Sequence, residues 1–389
     1  MTIHAKARKA IRDEHLSGWL FYNYAHRDLL ADRCLSVSPL ASNTRPWIYL
    51  LYAAGPAVKI VHCIESSILD HLPGRREIYG DRTSFKDLLK KYAQKGPEVA
   101  LNYSPSFPQA SFIDHGTVLL LTAMGFKAHP SHNLIPKVLS SLSQAQLRLH
   151  ERAAGALYRI VAEIWRRVRE GFSSKSVLLY EGDVHAWVVE LFKAHGLTTD
   201  SALIIGTGRH TALPHYMPSG KGARLTAGDL LQIDIWGKLD SEGGIYADIS
   251  WVGVLSRTVP PAFGRVFDTL VRARDAAVDH IRQCLKNNAR VSGAAVDGVA
   301  DGILRQAGFG GNIKHRTGHS IDTEVHGAGV NIDAGEFPDT RLLCEGSCFS
   351  IEPGLYFRDF GMRTEIDVYI HNNNAVISGG TPQTAILTL

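Results

Sequence analysis

Four carboxylates and one imidazole, each in a short and distinctive context, are the residues of this chain best suited to chemistry. Asp234 closes the apolar run Leu230-Leu231-Gln232-Ile233, and Asp248 sits in Tyr246-Ala247-Asp248-Ile249-Ser250. His319 lies in His315-Arg316-Thr317-Gly318-His319, Glu352 in Ser350-Ile351-Glu352-Pro353-Gly354, and Glu365 in Gly361-Met362-Arg363-Thr364-Glu365. Side chains alternate between the two faces of a strand. Leu230, Gln232 and Asp234 therefore share one face, as do Tyr246, Asp248 and Ser250, and a hairpin across the turn-rich 238–244 is expected to set the two aspartates side by side. The same parity groups Arg363, Glu365 and Asp367, and puts Glu352 with Ser350. Carboxylates gathered this way repel, and without a cation at least one would have its pKa raised strongly. An oxygen-rich set with a nitrogen suits Mn²⁺, Co²⁺, Fe²⁺ or Zn²⁺, and a pair of such ions points to two-metal hydrolysis. Taken singly, a strand aspartate is more often a turn or surface residue. The coincidence of five such residues argues for a site.

The elements that must position them read as two domains, 1–138 and 139–389. In the first, residues 5–15 pattern as an amphipathic helix, and 19–24, 47–52 and 58–64 as strands. Ala53-Ala54-Gly55-Pro56 supplies turn chemistry for a hairpin between the last two. A helix over 85–95 and a strand over 99–103 follow. Pro130, Asn133 and Pro136 mark the break. A long helix is expected from about 143 to 170, with Leu147, Ala154, Leu157, Ile160, Val161 and Ile164 at helical spacing, and a second over roughly 176–194. Strands are expected at 203–206, 229–236, 245–255, 347–351, 364–371 and 375–378, with helices over 262–285 and 292–307. Helices beside a mainly antiparallel sheet make the second domain α+β.

The bulk composition excludes several classes. At 389 residues, 45% apolar and 21% charged, the chain is long enough for two cores. The balance of 42 basic and 38 acidic residues leaves +4, which gives no argument for nucleic acid or an anionic membrane as partner. Five cysteines, an odd and scattered set, argue against a disulfide framework and fit a reducing, cytoplasmic setting. Cys344 and Cys348 read as small apolar residues beside a strand. The most apolar stretch, 118–126, falls far short of the roughly 20 residues of a membrane span, and the charged N-terminus does not read as a secretory signal.

These residues resemble the pita-bread metallopeptidase family of aminopeptidase P, prolidase and methionine aminopeptidase, over about residues 145–389. The resemblance implies a C-terminal pita-bread fold, here preceded by a smaller α/β domain like that of creatinase and prolidase. It puts the metal ligands on Asp234, Asp248, His319, Glu352 and Glu365, for two divalent ions with Mn²⁺ favoured. His215, in Leu213-Pro214-His215-Tyr216, matches a substrate-binding histidine, and His326, in Glu324-Val325-His326-Gly327, one that contacts the reacting carbonyl. His315 and Arg363 fall in the outer shell, Arg363 pairing with a carboxylate. Alone, either His215 or His326 would be read as a surface or structural residue. His210 matches nothing in the family. The implied activity is hydrolysis of Xaa-Pro bonds by a metal-activated hydroxide, with Glu352 shuttling the proton. Chain length favours a dipeptidase over an aminopeptidase, and relatives with the extra domain pair as homodimers.

Two departures stand out. Arg316 follows His315 where the family often has glycine, and Ser320-Ile321-Asp322 occupies a place where small residues or glycine often stand. Both are expected to flank the substrate pocket and bear on substrate size and end-group preference. The second keeps open a non-peptidase on the same fold, such as a lyase acting on a small carboxylate metabolite. A non-catalytic binding module would typically have lost ligands, and none is lost.

Overall fold

The computed structural model describes residues 2–174 and 178–389. The expected start of the second long helix, at 176, lies outside the described residues. The chain divides into two compact units, Met1–Leu139 and Ser140–Leu389.

The first unit runs α1 (Ile3–Asp13), β1 (Gly18–Asn23), α2 (Leu29–Leu35), β2 (Trp47–Tyr52), β3 (Val58–His62), β4 (Arg75–Tyr79), α3 (Arg82–Ala93), β5 (Glu98–Leu101), α4 (His115–Ala123), β6 (Lys127–Pro130) and α5 (Leu134–Leu139). Its six strands form one mixed sheet in the order β4-β3-β2-β1-β5-β6. β2 and β3 make the expected antiparallel hairpin, turning at Gly55 with φ +84°, a conformation glycine adopts without a Cβ penalty. The two strands not foreseen, β4 and β6, are the sheet's edges. β4 reads Arg-Arg-Glu-Ile-Tyr and is largely exposed, so the pattern of a half-buried strand is missing, as is common where an edge must resist pairing with other chains.

The second unit runs α6 (Gln144–Ser173), α7 (Glu181–Ala194), β7 (Leu197–Thr198), β8 (Ile204–Thr207), β9 (Leu230–Leu239), β10 (Ala247–Val254), α8 (Pro261–Lys286), α9 (Gly293–Gln306), β11 (Cys348–Ile351), β12 (Gly354–Tyr356), β13 (Gly361–Arg363), β14 (Ile366–His371) and β15 (Asn374–Ile377). β9 is the hub, antiparallel to β10, β8 and β7. A second sheet has the order β11-β14-β15, and β12 pairs with β13. The antiparallel pairing and the packed helices make this unit α+β. α6 begins at a capping box in which Ser143 Oγ accepts from the Gln146 N–H and Gln146 Oε1 from the Ser143 N–H. Its apolar stripe, with Leu157, Ile160 and Ile164, packs into one core with Ile233, Ile235 and Ile249 of β9 and β10. α8 and α9 build the other core with β11 and β14, through Leu270, Ile281, Ile351 and Val368.

Two expectations about register change. In the hairpin, Asp234 pairs with Ser250 and Asp248 with Trp236. The aspartates share a face but sit diagonally, two positions out of step, because the turn is longer than a side-by-side pairing allows. The strand expected over 364–371 is present and starts two residues later than expected. Arg363 ends β13 against Gly354 of β12, β14 starts at Ile366, and Glu365 occupies the step between, bridged to Ser250 of β10.

α6 lies so close to β10 that Trp165 covers Gly253, and a Cβ at Gly253 would fall on the indole ring. Overpacking of this kind costs about 1–3 kcal/mol. Gly253→Ala is expected to lower the melting temperature, and an unchanged thermal transition would show that the helix and strand can separate freely.

Candidate metal centre

All nine side chains singled out from the sequence line one cavity of about 200 Å³: Asp234, Asp248, His319, Glu352 and Glu365, with His215, His315, His326 and Arg363. Asp234 and Asp248 come from β9 and β10, the most securely paired strands of the unit. Glu365 is held by its N–H, which donates to Ser250 O at 3.1 Å. The segment carrying His319 runs beside β11. The Ser350 N–H donates to His319 O at 2.9 Å, the Glu352 N–H to Thr317 O at 2.6 Å, and the His319 N–H to Ser350 Oγ at 3.0 Å. Gly318 permits this approach, since a Cβ there would overlap Ser350 O.

The site carries more negative charge than its own cations offset. Asp234, Asp248 and Glu365 are 3%, 5% and 2% exposed. Burial, and then the charge of neighbouring acids, pushes Asp248 and Glu365 well above the usual carboxylate range. Asp234 Oδ1, Asp248 Oδ1 and Glu365 Oε1 have no hydrogen-bond partner, although a buried acceptor normally has one. His319 gives the sharpest indication. Its Nδ1 lies 3.2 Å from Ser320 O, so Nδ1 carries the proton and Nε2 presents a lone pair. That lone pair faces Glu352 Oε1 at 3.4 Å and Asp248 Oδ2 at 3.7 Å. Burial holds the imidazole pKa down to about 3, so no second proton fills the gap. Asp248, His319 and Glu365 offer ligand atoms that all lie within 4.8 Å of one another. Lone pairs converging without a donor among them are the chemistry of a cation site, and a backbone carbonyl on the other ring nitrogen is the usual way a ligand histidine is oriented.

Arg363 is the cation closest to the acids. Its Nη2 pairs with Asp234, its Nε lies 3.8 Å from Glu352 Oε2, and its Nη1 donates to Tyr356 Oη at 2.8 Å. Tyr356 Oη in turn is 2.9 Å from His315 Nε2, whose Nδ1 donates to Arg316 O at 2.7 Å. The donor order along Arg363, Tyr356 and His315 is thereby set. Gly354 makes room for it, as a Cβ there would sit 2.7 Å from both His315 Nε2 and Tyr356 Oη. The Gln232 side chain ties β9 to this layer, accepting from the Arg363 N–H at 3.0 Å and donating to Ser250 Oγ at 2.6 Å. Asp367, grouped by parity with Arg363 and Glu365, does not line the cavity. It lies beneath it, accepting from the Asp248 N–H at 2.8 Å, with His150 Nε2 at 3.9 Å.

His215 and His326 are exposed and stand on loops at the rim. The His215 loop is organised by Glu181, which is fully buried and was not picked out from the sequence. Its carboxylate accepts from the Thr207 and Ala223 N–H groups at 2.8 and 2.7 Å and from Tyr216 Oη at 2.8 Å. His210, left unassigned above, sits 2.8 Å from the same carboxylate and stacks on Tyr216. The only sequence sign of Glu181 is its place in the first turn of α7, where acids are common for helix-dipole reasons. The His326 loop is fastened by Asp322. Its carboxylate accepts from Ser140 Oγ at 3.0 Å and from the Glu324 and Ala328 N–H groups at 2.9 Å each. Ser320, Ile321 and Asp322 are all buried and absent from the cavity wall. The expectation that they flank the substrate is therefore corrected: the acid at 322 holds a loop. Ile204, Trp236 and Val325 complete an apolar side of the cavity, and Arg316 and Glu336 add charge.

Residues 148–372 match the model of metallopeptidase family M24. The probable dipeptidase PepE of Mycobacterium tuberculosis is 30% identical over 208 residues, 53% of this chain and 52% of that protein. An Xaa-Pro dipeptidase of Lactobacillus delbrueckii is 33% identical over 182 residues, 43% of this chain and 42% of that one. The chain thus spans about half the length of the curated relatives it matches. The crystal structure of dipeptidase PepE from Mycobacterium ulcerans superposes with a TM-score of 0.73 at 25% identity, covering 99% of this chain and 96% of that one. The fold is the pita-bread fold with a smaller α/β unit before it.

Two outcomes follow from this geometry. Adding Mn²⁺ to metal-stripped protein is expected to raise the melting temperature, by about 2.7 kcal/mol of stability at 100 times Kd, and Asp248→Asn to blunt the rise. A transition indifferent to Mn²⁺, Co²⁺ and Zn²⁺ alike would refute a cation site. Glu181→Ala strands the buried Thr207 N–H and the part-buried Ala223 N–H and is expected to cost roughly 1–3 kcal/mol, seen as a lower urea midpoint; a midpoint equal to wild type would remove Glu181 as the organiser of the His215 loop.

Proposed function

Because this chain belongs to metallopeptidase family M24, we propose that it is a dinuclear-metal dipeptidase that cleaves Xaa-Pro bonds. The observation that carries the reading is the unprotonated Nε2 of His319 facing Glu352 Oε1 and Asp248 Oδ2 inside a cavity of about 200 Å³. Support for a dipeptide comes from that small volume and from relatives named as dipeptidases. Asp234, Asp248, His319, Glu352 and Glu365 would hold two divalent ions, with Mn²⁺ favoured for an oxygen-rich set. Bound there, such ions would lower the pKa of a water and polarise the scissile carbonyl.

The remaining work falls to side chains. Glu352 is held by Ser350 Oγ, which donates to its Oε1 at 3.2 Å. It takes the proton of the attacking water and delivers it to the proline nitrogen. His326, at the rim and with its ring 4.4 Å from that of His319, donates to the developing oxyanion. His215 orients the substrate from the opposite loop, and the Ile204, Trp236 and Val325 side of the cavity accepts apolar substrate surface. Arg363 and His315 keep the acids in register through Tyr356. The proposal extends to a creatinase-like role for the first unit in homodimer formation, supported by the resemblance, and to a cytoplasmic location. The latter is supported by five free cysteines and by the lack, among the described residues, of a helix long and apolar enough to cross a membrane.

Hydrolysis of Ala-Pro and Ala-Pro-Ala by Mn²⁺-restored protein tests the reading. Cleavage of the dipeptide alone is expected. Cleavage of the tripeptide would move the assignment to an aminopeptidase, and cleavage of neither with metal bound would sink it. Glu352→Gln should lower kcat by roughly 10²–10⁴-fold with the thermal transition retained, and near-wild-type turnover would remove Glu352 from its role.

A further inference from the structure

β9 and β10 belong to one sheet, and β11, β14 and β15 to another. A cation held by Asp248, His319 and Glu365 is held across the seam between them. Asp248 stands on β10, Glu365 on the step before β14, and His319 on the segment sewn to β11. One side chain meets all three segments. It is His150 of α6, fully buried and set in the apolar stripe of the helix between Leu147 and Ala154. An imidazole in such a place costs stability unless both of its nitrogens are satisfied.

Both are satisfied. Nδ1 lies 2.7 Å from Tyr246 O, and Nε2 lies 2.7 Å from Ser378 Oγ. A carbonyl only accepts, so Nδ1 carries the proton and Nε2 accepts from the serine hydroxyl. Burial favours the same neutral form. These two bonds close a ring. Tyr246 leads into β10 just before Asp248, whose N–H donates to Asp367 Oδ2 at 2.8 Å. Asp367 follows Glu365 on β14, and its carbonyl accepts from the Ser378 N–H at 3.0 Å. The ring thus fixes the offset of β10 against β14, in support of the bridge between Ser250 and Glu365. The third segment is reached through Cys348, whose Sγ lies 3.6 Å from the same Nε2. Cys348 O accepts from the Ile321 N–H at 2.8 Å, just past His319.

We propose that His150 is a positioning residue of the metal centre, which sets the spacing of Asp248, His319 and Glu365 and thereby the affinity of the site for its cations. The inference rests on the dinuclear reading above. The ring takes no carboxylate oxygen from Asp248 or Glu365 and reaches them through the main chain, so it acts on their position alone. A leucine would fill the same place in the stripe. It would leave Tyr246 O and Ser378 Oγ without this partner and the seam free to open. Loss of a group that orients metal ligands lowers metal affinity by about 10- to 100-fold.

The test measures Mn²⁺ binding to the metal-stripped, full-length protein by equilibrium dialysis and by electron paramagnetic resonance. Wild type is expected to take up two ions and to give the exchange-coupled multiline spectrum of a Mn²⁺ pair. His150→Leu should raise Kd for at least one ion by about 10- to 100-fold and give the hyperfine sextet of isolated Mn²⁺. His150→Gln, whose amide offers a donor and an acceptor, should recover part of the affinity. Ser378→Ala opens the ring without altering the helix and should raise Kd in the same direction; it carries the test if His150→Leu does not fold. Gly253→Ala crowds the contact of α6 with β10 away from the ring and serves as the control, with a lower melting temperature and wild-type Kd values expected. Wild-type Kd values in every ring variant that folds, or an equal loss in Gly253→Ala, would overturn the positioning role and leave the dinuclear reading standing. Uptake of fewer than two ions by wild type would overturn that reading, and the inference with it.

Discussion

Mutual repulsion among carboxylates in a low-dielectric cavity is the constraint around which this structure is organised. Unit charges a few ångströms apart interact by several kcal/mol even at an effective dielectric of about 20. Asp234, Asp248 and Glu365 are held together, nearly free of solvent, with one guanidinium among them. A single arginine cannot offset that charge, so the acids must be kept in place by the chain itself. Each is anchored through backbone: the Asp248 N–H on Asp367, the Glu365 N–H on Ser250 O, and Gln232 bridging β9 to Arg363. Such anchors leave Asp234 Oδ1, Asp248 Oδ1 and Glu365 Oε1 unspent, as a metal ligand requires.

The same logic assigns rigidity and exposure. The acids and His319 come from paired strands and the segment sewn to β11, where position is set by several hydrogen bonds at once. The histidines that would touch substrate, His215 and His326, stand on exposed loops. Each loop is held by one buried carboxylate beneath it, Glu181 or Asp322, which collects N–H donors. Groups that hold a cation need precise spacing, and groups that meet a substrate need access.

How far the sequence reveals this depends on whether a residue's role leaves a local pattern. Asp234, Asp248, Glu352 and Glu365 sit in apolar strand contexts with period-two alternation, and His319 directly follows Gly318 in His315-Arg316-Thr317-Gly318-His319, so they are legible. The hairpin's register was not, because alternation fixes the face but not the offset; the two-residue slip to a diagonal pairing preserves the face. Glu181 and Tyr356 escaped because each acts through partners distant in sequence, Glu181 through 207–223 and Tyr356 through His315 and Arg363. β12 and β13 are three residues each, too short for any periodicity. The exposed edge β4 lacks the alternation that burial imposes.

The two departures from the family pattern separate for a physical reason. Residues 320 to 322 follow His319 closely, but the chain there is bridged to Phe349 of β11 and its side chains turn into the core. Asp322 spends its oxygens on Ser140 Oγ and two backbone N–H groups, which leaves no acid for a substrate and removes the feature that suggested a different chemistry. Arg316, three residues before the same histidine, lines two cavities and spends none of its donors on another side chain. Proximity to a ligand in sequence therefore says little about contact with substrate. What distinguishes the two positions is whether the polar atoms are already satisfied, and a buried or half-buried polar group that is not satisfied by the protein is the one available to a ligand.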